Sequence, residues 1–424
     1  MATILIVSEG SGVPTAMRLA KEGHVVRIYF TNKDAGSSLK GLKNPLKVTM
    51  IPSNLESFDM ILFDGYKEGK LAEQFRDKDK AVIGGGIFND KLELNREYGE
   101  KVVSTLMPNV SLPKSESCKT SSEAIKYLES VGKAQVLKPF NNRPTYFLPI
   151  SETDDNEVLV QLVKGMPQDL IPCLIQEKVK GVEVSTEGWF DGASFTHFNH
   201  TLEKKRMLDG DRGCLLGCAG NVVWSTEGDK LTDYCLTPLT ALLQKVDYLG
   251  PIDVNMIVTE DKCYFLEFTP RFGHDAIQTL MELMRKPLFD YFWNLQMKKN
   301  LPAFKQEYAI GVRLSFPPYP FGREIKGYFK QLEGLKVLDV PPEAESHVHY
   351  YDVKFENGKP QLAGVDGALG CATARGETIR ECRRRVYRTI NNICKSKDIQ
   401  YRSDIGEGMD KDIEQLKTWG WLNA

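Results

Sequence analysis

Apolar and polar residues alternate along this chain in blocks that read as strand, turn and helix. Residues 2–30 open with a β-rich apolar run, Ile4–Val7, then a glycine-containing turn. Helical spacing follows from Ala16 to Ala20, and a second strand spans Val25–Phe30. "FDMILFDG" (58–65) and "AVIGGG" (81–86) have the continuous apolar character of further strands in the same parallel sheet. A helix is expected over 91–107 and an amphipathic helix after "NVSLPKSESC", followed by strands in "AQVLKPF" and "IPCLIQEKVKG". Beyond Gly181 the chain alternates as a hairpin around Asp191-Gly192. The pattern then gives a helix at about 236–247, a strand pair 252–258 and 263–268 joined by "TEDK", and a helix around 275–299. The last section opens with strand "YAIGVRLSF" and contains the helix "ETIRECRRRVYRTINNI".

A chain of 424 residues suggests two to four domains. The boundaries read from the pattern are an α/β unit at 1–90, a lobe at 91–180, a second lobe at 181–297 and an α+β section at 298–424. With 42% hydrophobic and 26% charged residues and a formal net charge of −2, no positive field points to nucleic acid. No apolar run approaches the roughly 18 residues a bilayer span needs, so no membrane partner is expected. The first residues are too short in apolar character for a signal peptide, and nine scattered cysteines suit reduced thiols, so a cytoplasmic setting is expected. His197, His200, Cys214 and Cys218 lack a usual zinc spacing and read as strand and loop residues. Gly10-Ser11-Gly12 is only a fragment of a dinucleotide fingerprint, and a turn offering backbone N–H groups to an anion is the better reading.

The chemistry gathers in "GPIDVNMIVTEDKCYFLEFTPRFG". Asp253 and Glu267 lie on adjacent antiparallel strands, where two carboxylates can face one another if the register allows. Facing carboxylates beside a core repel unless cations fill the gap, and hard oxygen ligands suit Mg²⁺. Arg271, on the Pro-Arg-Phe-Gly turn just beyond, is placed for a phosphoryl group or an acyl phosphate; the alternative is a structural salt bridge. Lys138 is a lone cation at the end of an apolar strand, where a phosphate would relieve its desolvation. In "LIQEKVKGVE", Gln176, Glu177 and Val179 can meet an adenine edge, with Glu183 left for ribose hydroxyls.

In this order the pieces resemble the ATP-grasp superfamily, most nearly the phosphoribosylamine–glycine ligase (glycinamide ribonucleotide synthetase) family. The resemblance runs through "ILIVSEGSG", "LELNREYGEKVV", "VLKPF", "LIQEKVKGVEVS", "EKKRMLDGDRG", "FLEFTPRFGHDAIQ" and "GVRLSFPPYP" to "ALGCATARGETIRECRRRVY". It implies an α/β fold: an N-terminal parallel α/β domain, a two-lobed ATP-grasp unit and a C-terminal α+β section. It implies ATP with Mg²⁺ (or Mn²⁺), a phosphate-contacting Lys138, and an adenine hinge at Gln176, Glu177 and Val179. Glu183 would bind ribose, Asp253 and Glu267 the metal, and Arg271 would contact phosphate or acyl phosphate. Such enzymes phosphorylate a small-molecule carboxylate and let an amine displace the phosphate; the protein is expected as a monomer or homo-oligomer.

The chain departs from the family at its loops. After Lys138 the family's glycine-rich flap is replaced by "PFNNRPTYF", where Arg143 could supply charge instead. Thr269 stands where the family has a metal-binding Asn, and His274-Asp275-Ala276 where it has Asp-Pro-Glu. Val13-Pro14-Thr15 replaces an Arg-Glu-His, and the glycine-rich substrate loop expected near 212–220 is only partly kept in "RGCLLGCAGN". Three readings remain open: a ligase on another substrate pair, glycinamide ribonucleotide synthesis itself, and a non-catalytic nucleotide-binding relative.

Overall fold

A computed structural model describes residues 1–78, 80–140, 155–325 and 327–423. Strands β1 (Thr3–Ser8), β2 (Val25–Phe30), β3 (Leu46–Val48), β4 (Met60–Phe63) and β5 (Val82–Ile83) form a parallel sheet ordered β3-β2-β1-β4-β5. The unbroken apolar run of β1 has its reason here, because helices cover both faces. Ile4 and Ile6 pack with Ala16 and Leu19 on one side, and Leu5 and Val7 with Ala72 and Phe75 on the other.

Strand β6 (Val110–Ser111) precedes a three-stranded antiparallel sheet of β7 (Ser115–Cys118), β8 (Gln135–Pro139) and β9 (Cys173–Glu177), ordered β7-β9-β8. Helices Ser121–Ser130 and Asn156–Gly165 bury Ala124, Leu128, Leu159 and Val163 against it. The remaining long strands are β10 (Val182–Phe190), β11 (Phe195–Leu208), β12 (Arg212–Thr226), β13 (Gly250–Val258), β14 (Cys263–Thr269) and β15 (Tyr308–Ser315). Three short ones follow, β16 (Val348–Tyr350), β17 (Val353–Glu356) and β18 (Lys359–Leu362), and then β19 (Ala368–Gly376).

Nine of these make one sheet, ordered β16-β19-β15-β12-β11-β10-β13-β14-β6. Strands from residues 298–424 thus continue the sheet that carries Asp253 and Glu267, since β15 pairs with β12. Likewise β6, from the segment before β7, pairs with β14. The hairpin β17–β18 is tied to the N-terminal unit: Leu39 N donates to Val353 O, and Phe355 N to Lys40 O. Gly41, at φ +93°, makes that approach possible, because a Cβ there would fall 1.8 Å from Phe355 O. Among the described residues no helix is long and apolar enough to cross a membrane.

Three local expectations change. The helix expected over 91–107 is two helices, Ile87–Leu94 and Arg96–Leu106. Asn95 leaves helical geometry between them and its carboxamide oxygen accepts from Tyr98 N as an N-cap. The span 275–299 is broken into Ala276–Leu280, a 3-10 turn Met281–Leu283 and Leu288–Gln296, with Pro287 capping the last piece. The segment 212–220 belongs to β12 and pairs with β11 across register shifts, with Gly213 and Gly217 at positive φ.

Trp189 closes the end of β10. Its ring stacks on Phe292 at 6.0 Å, meets Phe272 edge-on at 6.2 Å, and is fully buried. Trp189→Ala should cost about 3–5 kcal/mol, read as a lowered urea midpoint by far-UV circular dichroism.

Candidate functional site

The period of two in a strand sorts side chains onto opposite sheet faces. In β10, Glu183, Ser185 and Glu187 point one way. Cross-strand register places Thr201 of β11 beside Ser185, Asp253 of β13 beside Glu187, and Asn255 beside Ser185. On β14, Thr269 stands opposite Asp253 and Glu267 opposite Asn255. Asp253 and Glu267 therefore share a face but sit diagonally, and across the β13–β14 ladder each faces a neutral partner. The intervening residues Val184, Leu202, Val222, Ile252, Val254 and Met256 form the dry underside. Register also accounts for an acid in an apolar run: Glu267 projects from the wet face of a strand whose other face, Phe265 and Phe268 among it, is core.

That polar face floors a cleft of about 1030 Å³, walled by β8, β9 and the turn after β1. Lys138, Gln176, Glu177, Val179, Glu183, Asp253, Glu267, Thr269 and Arg271 all line it. Arg143 lies outside the described residues.

Carboxylates crowd the floor. Burial raises the Glu203 carboxyl to about 8, with the Asp253 charge adding to it. Burial likewise raises Asp253 to about 8, reinforced by Glu187, and raises Glu187 itself to about 7. Glu267 is held below the usual carboxylate range, chiefly by the Lys205 ammonium. Lys205 bridges Glu183 at 2.8 Å and Glu267 at 3.3 Å. Burial opposes its charge, but Glu183, Glu267 and Glu203 outweigh that and keep it protonated. The Asp253 and Asn255 Oδ1 atoms are buried without a hydrogen-bond partner among the described residues. Two orphaned hard oxygens beside Glu267 are the donor set a divalent cation takes when phosphates complete its shell. Among the described residues no three acidic, His or Cys side chains form a cage unaided.

At the β8–β9 end, Lys138 Nζ donates to Gln176 Oε1 at 2.6 Å, so two expected nucleotide contacts hold each other. Burial lowers the Lys138 ammonium to about 8, with Arg96 adding to the effect. Glu177 accepts from Lys133 at 2.8 Å.

The opposite end differs from expectation. The Gly10 and Gly12 N–H groups donate to Ser8 Oγ, and Val13 N to Gly10 O, so these amides serve the turn rather than an outside anion. Beneath it the Asp64 carboxylate accepts from Ser8 and Ser11 hydroxyls at 3.0 and 2.9 Å, and burial raises it to about 6. Arg271 is paired with Glu93 at 2.9 Å, donates to Phe272 O, and lies over the Tyr66 ring. It lines the cleft while holding a structural salt bridge. Asp275, at φ +61°, accepts from Arg313 Nε at 2.8 Å and the Tyr351 hydroxyl at 2.6 Å.

His197 stacks on Phe304, and His200 bonds Thr186 and Asp229 within the core, so neither is a metal ligand with Cys214 or Cys218. The residues that went unrecognised in the sequence are Glu187, Glu203, Lys205 and Asn255. The signal was present: "VEVSTEG" and "HTLEKK" each place polar residues at every second position of an otherwise buried strand.

Known proteins share this fold and order. Residues 101–276 match the family model of the phosphoribosylglycinamide synthetase ATP-grasp (A) domain. The phosphoribosylamine–glycine ligase of Clostridium acetobutylicum is 24% identical over 440 residues, covering 96% of this chain and 100% of that one. The Helicobacter pylori enzyme of the same name is 23% identical, covering 95% and 96%. Among solved structures, the phosphoribosylamine–glycine ligase of Thermotoga maritima superposes with a TM-score of 0.70 at 18% identity, covering 95% of this chain and 100% of that one. The N5-carboxyaminoimidazole ribonucleotide synthetase of Thermus thermophilus gives 0.58 at 14% identity, covering 93% and 99%. The chain thus has the fold of these ATP-grasp enzymes, and its residues 101–276 are similar to the phosphoribosylglycinamide synthetase ATP-grasp domain.

Proposed function

We propose that this chain is an ATP-dependent carboxylate–amine ligase that forms an amide through an acyl phosphate, on a substrate pair other than glycine and phosphoribosylamine. The observation that carries the reading is the meeting of Lys138, Gln176, Glu183, Asp253, Glu267 and Arg271 in one cleft of an ATP-grasp fold.

The residues present fit ATP with Mg²⁺ or Mn²⁺. Asp253 and Glu267, with Asn255 between them, would hold the cation, whose charge offsets phosphate and carboxylate repulsion when bound. Thr269, across from Asp253, is a weaker donor to the same ion. Lys138 stands ready to leave Gln176 for a phosphate oxygen, which would relieve its desolvated charge. Gln176, Glu177 and Val179 present the adenine edge, and Glu183 the ribose contact once Lys205 turns toward Glu267 and Glu203. Arg271, kept rigid by Glu93, offers its remaining donor face to the acyl phosphate. The protein thus positions and neutralises, which is most of what phosphoryl transfer requires.

A phosphosugar amine is poorly served at the other end. Val13-Pro14-Thr15 carry no charge, and the buried Asp64 carboxyl lies beneath the turn. The relatives named for phosphoribosylamine and glycine are therefore a guide to the reaction rather than to the substrates.

Glu267→Gln should lower ADP release at saturating substrate on the order of 100-fold, with an unchanged far-UV spectrum. Asp253→Asn should act the same way. Full activity of the Glu267 variant would remove the cation from this site.

Proton and cation compete for the same floor. Folded Glu203 and Asp253 keep protons up to about pH 8 and Glu187 up to about 7, against roughly 4 in an unfolded chain. The folded state therefore binds more protons, and stability of the cation-free protein falls as pH rises from about 5 toward 8. MgCl2 should raise the melting temperature more at pH 8 than at pH 6, and Glu203→Gln should flatten the cation-free pH dependence. Equal shifts at both pH values would show that the ion binds elsewhere.

Each charge-assisted bond lost to a phosphate costs roughly 1.5–3 kcal/mol. Glycine with phosphoribosylamine should therefore release ADP more slowly than another acid–amine pair in a substrate screen. Efficient glycinamide ribonucleotide formation would instead assign that activity.

A further inference from the structure

The loop between β14 and the helix Ala276–Leu280 carries His274 into the wall of the cleft. No hydrogen-bond partner for either ring nitrogen is found among the described residues, although its neighbours Arg271 and Asp275 are both fixed by ion pairs. An imidazole left unpaired in the cleft wall, between neighbours that are themselves paired, has its lone pair free for a ligand. The charges that face it are two guanidiniums, Arg271 on its own loop and Arg313 on β15. Each is tied to a carboxylate on its far side, Glu93 and Asp275 respectively. Burial first, and then these two cations, hold His274 neutral well below its ordinary titration range. It is thus the neutral imidazole at physiological pH, with one ring nitrogen's lone pair free.

On the ligase reading, one proton must leave the attacking nitrogen. The C–N bond forms at the acyl carbon, the C–O bond to phosphate breaks, and phosphate departs with the electron pair. The nitrogen, made acidic as it adds to the carbonyl, sheds a proton. Cleft carboxylates on the sheet floor belong to the cation end, whereas His274 stands with Arg271, where the acyl phosphate is expected. We propose that His274 takes this proton from the attacking amine and then releases it to solvent. The two guanidiniums suit the role, because an acyl phosphate beside Arg271 returns negative charge to the site and strengthens the base when it is needed.

Hydroxylamine separates the roles, since it is unprotonated at neutral pH and attacks acyl phosphates without a base. Purified protein with ATP and MgCl2 is tested on a panel of small carboxylic acids, glycine included, with hydroxylamine (ferric hydroxamate colour) and with a panel of amines (ADP release). His274→Gln should lower kcat with the amine on the order of 100-fold and leave KM unchanged, while hydroxamate formation stays within about threefold. The lost amine rate should recover as pH rises and more free amine is present, and His274→Glu, which can again accept a proton, should restore part of it. Melting curves establish that the variants fold; should the Gln variant fail, His274→Asn and His274→Glu carry the same comparison. Loss of both reactions together, or of neither, would overturn the base assignment while leaving the ligase. Wild-type protein that forms neither hydroxamate nor amide with any acid would overturn the ligase reading and the base with it.

Discussion

One constraint governs the molecule: a long sheet with a dry underside must put every second residue into the cleft, and in this chain several of those residues are acids. Glu187, Glu203, Asp253 and Glu267 come from four strands that cannot move apart without breaking the nine-stranded ladder. Their repulsion is met by retained protons and by Lys205, whose ammonium bridges Glu183 and Glu267. Both remedies are partial, as the orphaned oxygens of Asp253 and Asn255 show. Among the described residues the floor thus holds more rigid oxygen acceptors than its own donors satisfy. Stability is spent on a site preorganised for charge that arrives with a ligand.

Legibility in the sequence followed the same physics. The N-terminal sheet was readable because buried parallel strands are continuously apolar, as in Ile4–Val7 and Met60–Phe63. The hairpin at Asp191-Gly192 and the pair β13–β14 were readable from period-two alternation and their turns. Asp253 and Glu267 stood out as acids in apolar runs, but Glu187 and Glu203 did not, because nothing in a single strand shows which neighbours it will meet. Their significance is a property of register across four strands. Helix breaks at Asn95 and Pro287 were missed for a local reason, since the apolar period continues through both while capping interrupts the backbone. The turn after β1 misled most: its glycines suggested amides turned outward, yet Ser8 Oγ accepts them from within, itself donating to Asp64, far away in sequence.

The two ends of the cleft are built differently, and this bears on what could change. The carboxylate floor is made of strand interiors fixed by ladder hydrogen bonds, so a substitution there disturbs several strands at once. The other end is made of connections: the turn after β1, the loop Arg271–Asp275, and the segment around Tyr351 and Asp352 that also carries the docking to the N-terminal unit. Loops can exchange side chains without disturbing the sheet, which is how one scaffold serves many substrates. Two of the departures from the resembling ligases fall at this end, at Val13-Pro14-Thr15 and His274-Asp275-Ala276.

The exchange at the second of these is more than a loss. Asp275 adopts a positive-φ backbone that few side chains other than Asn and Asp tolerate, and it is held there by Arg313 and Tyr351, which it in turn orients. Arg313 also takes the Tyr319 hydroxyl, so four side chains from three separate parts of the chain brace one loop. Degeneration alone would leave a loosened loop with unpaired polar groups. A residue held by a complete network, with an unpaired imidazole beside it, is instead a loop built to keep its shape.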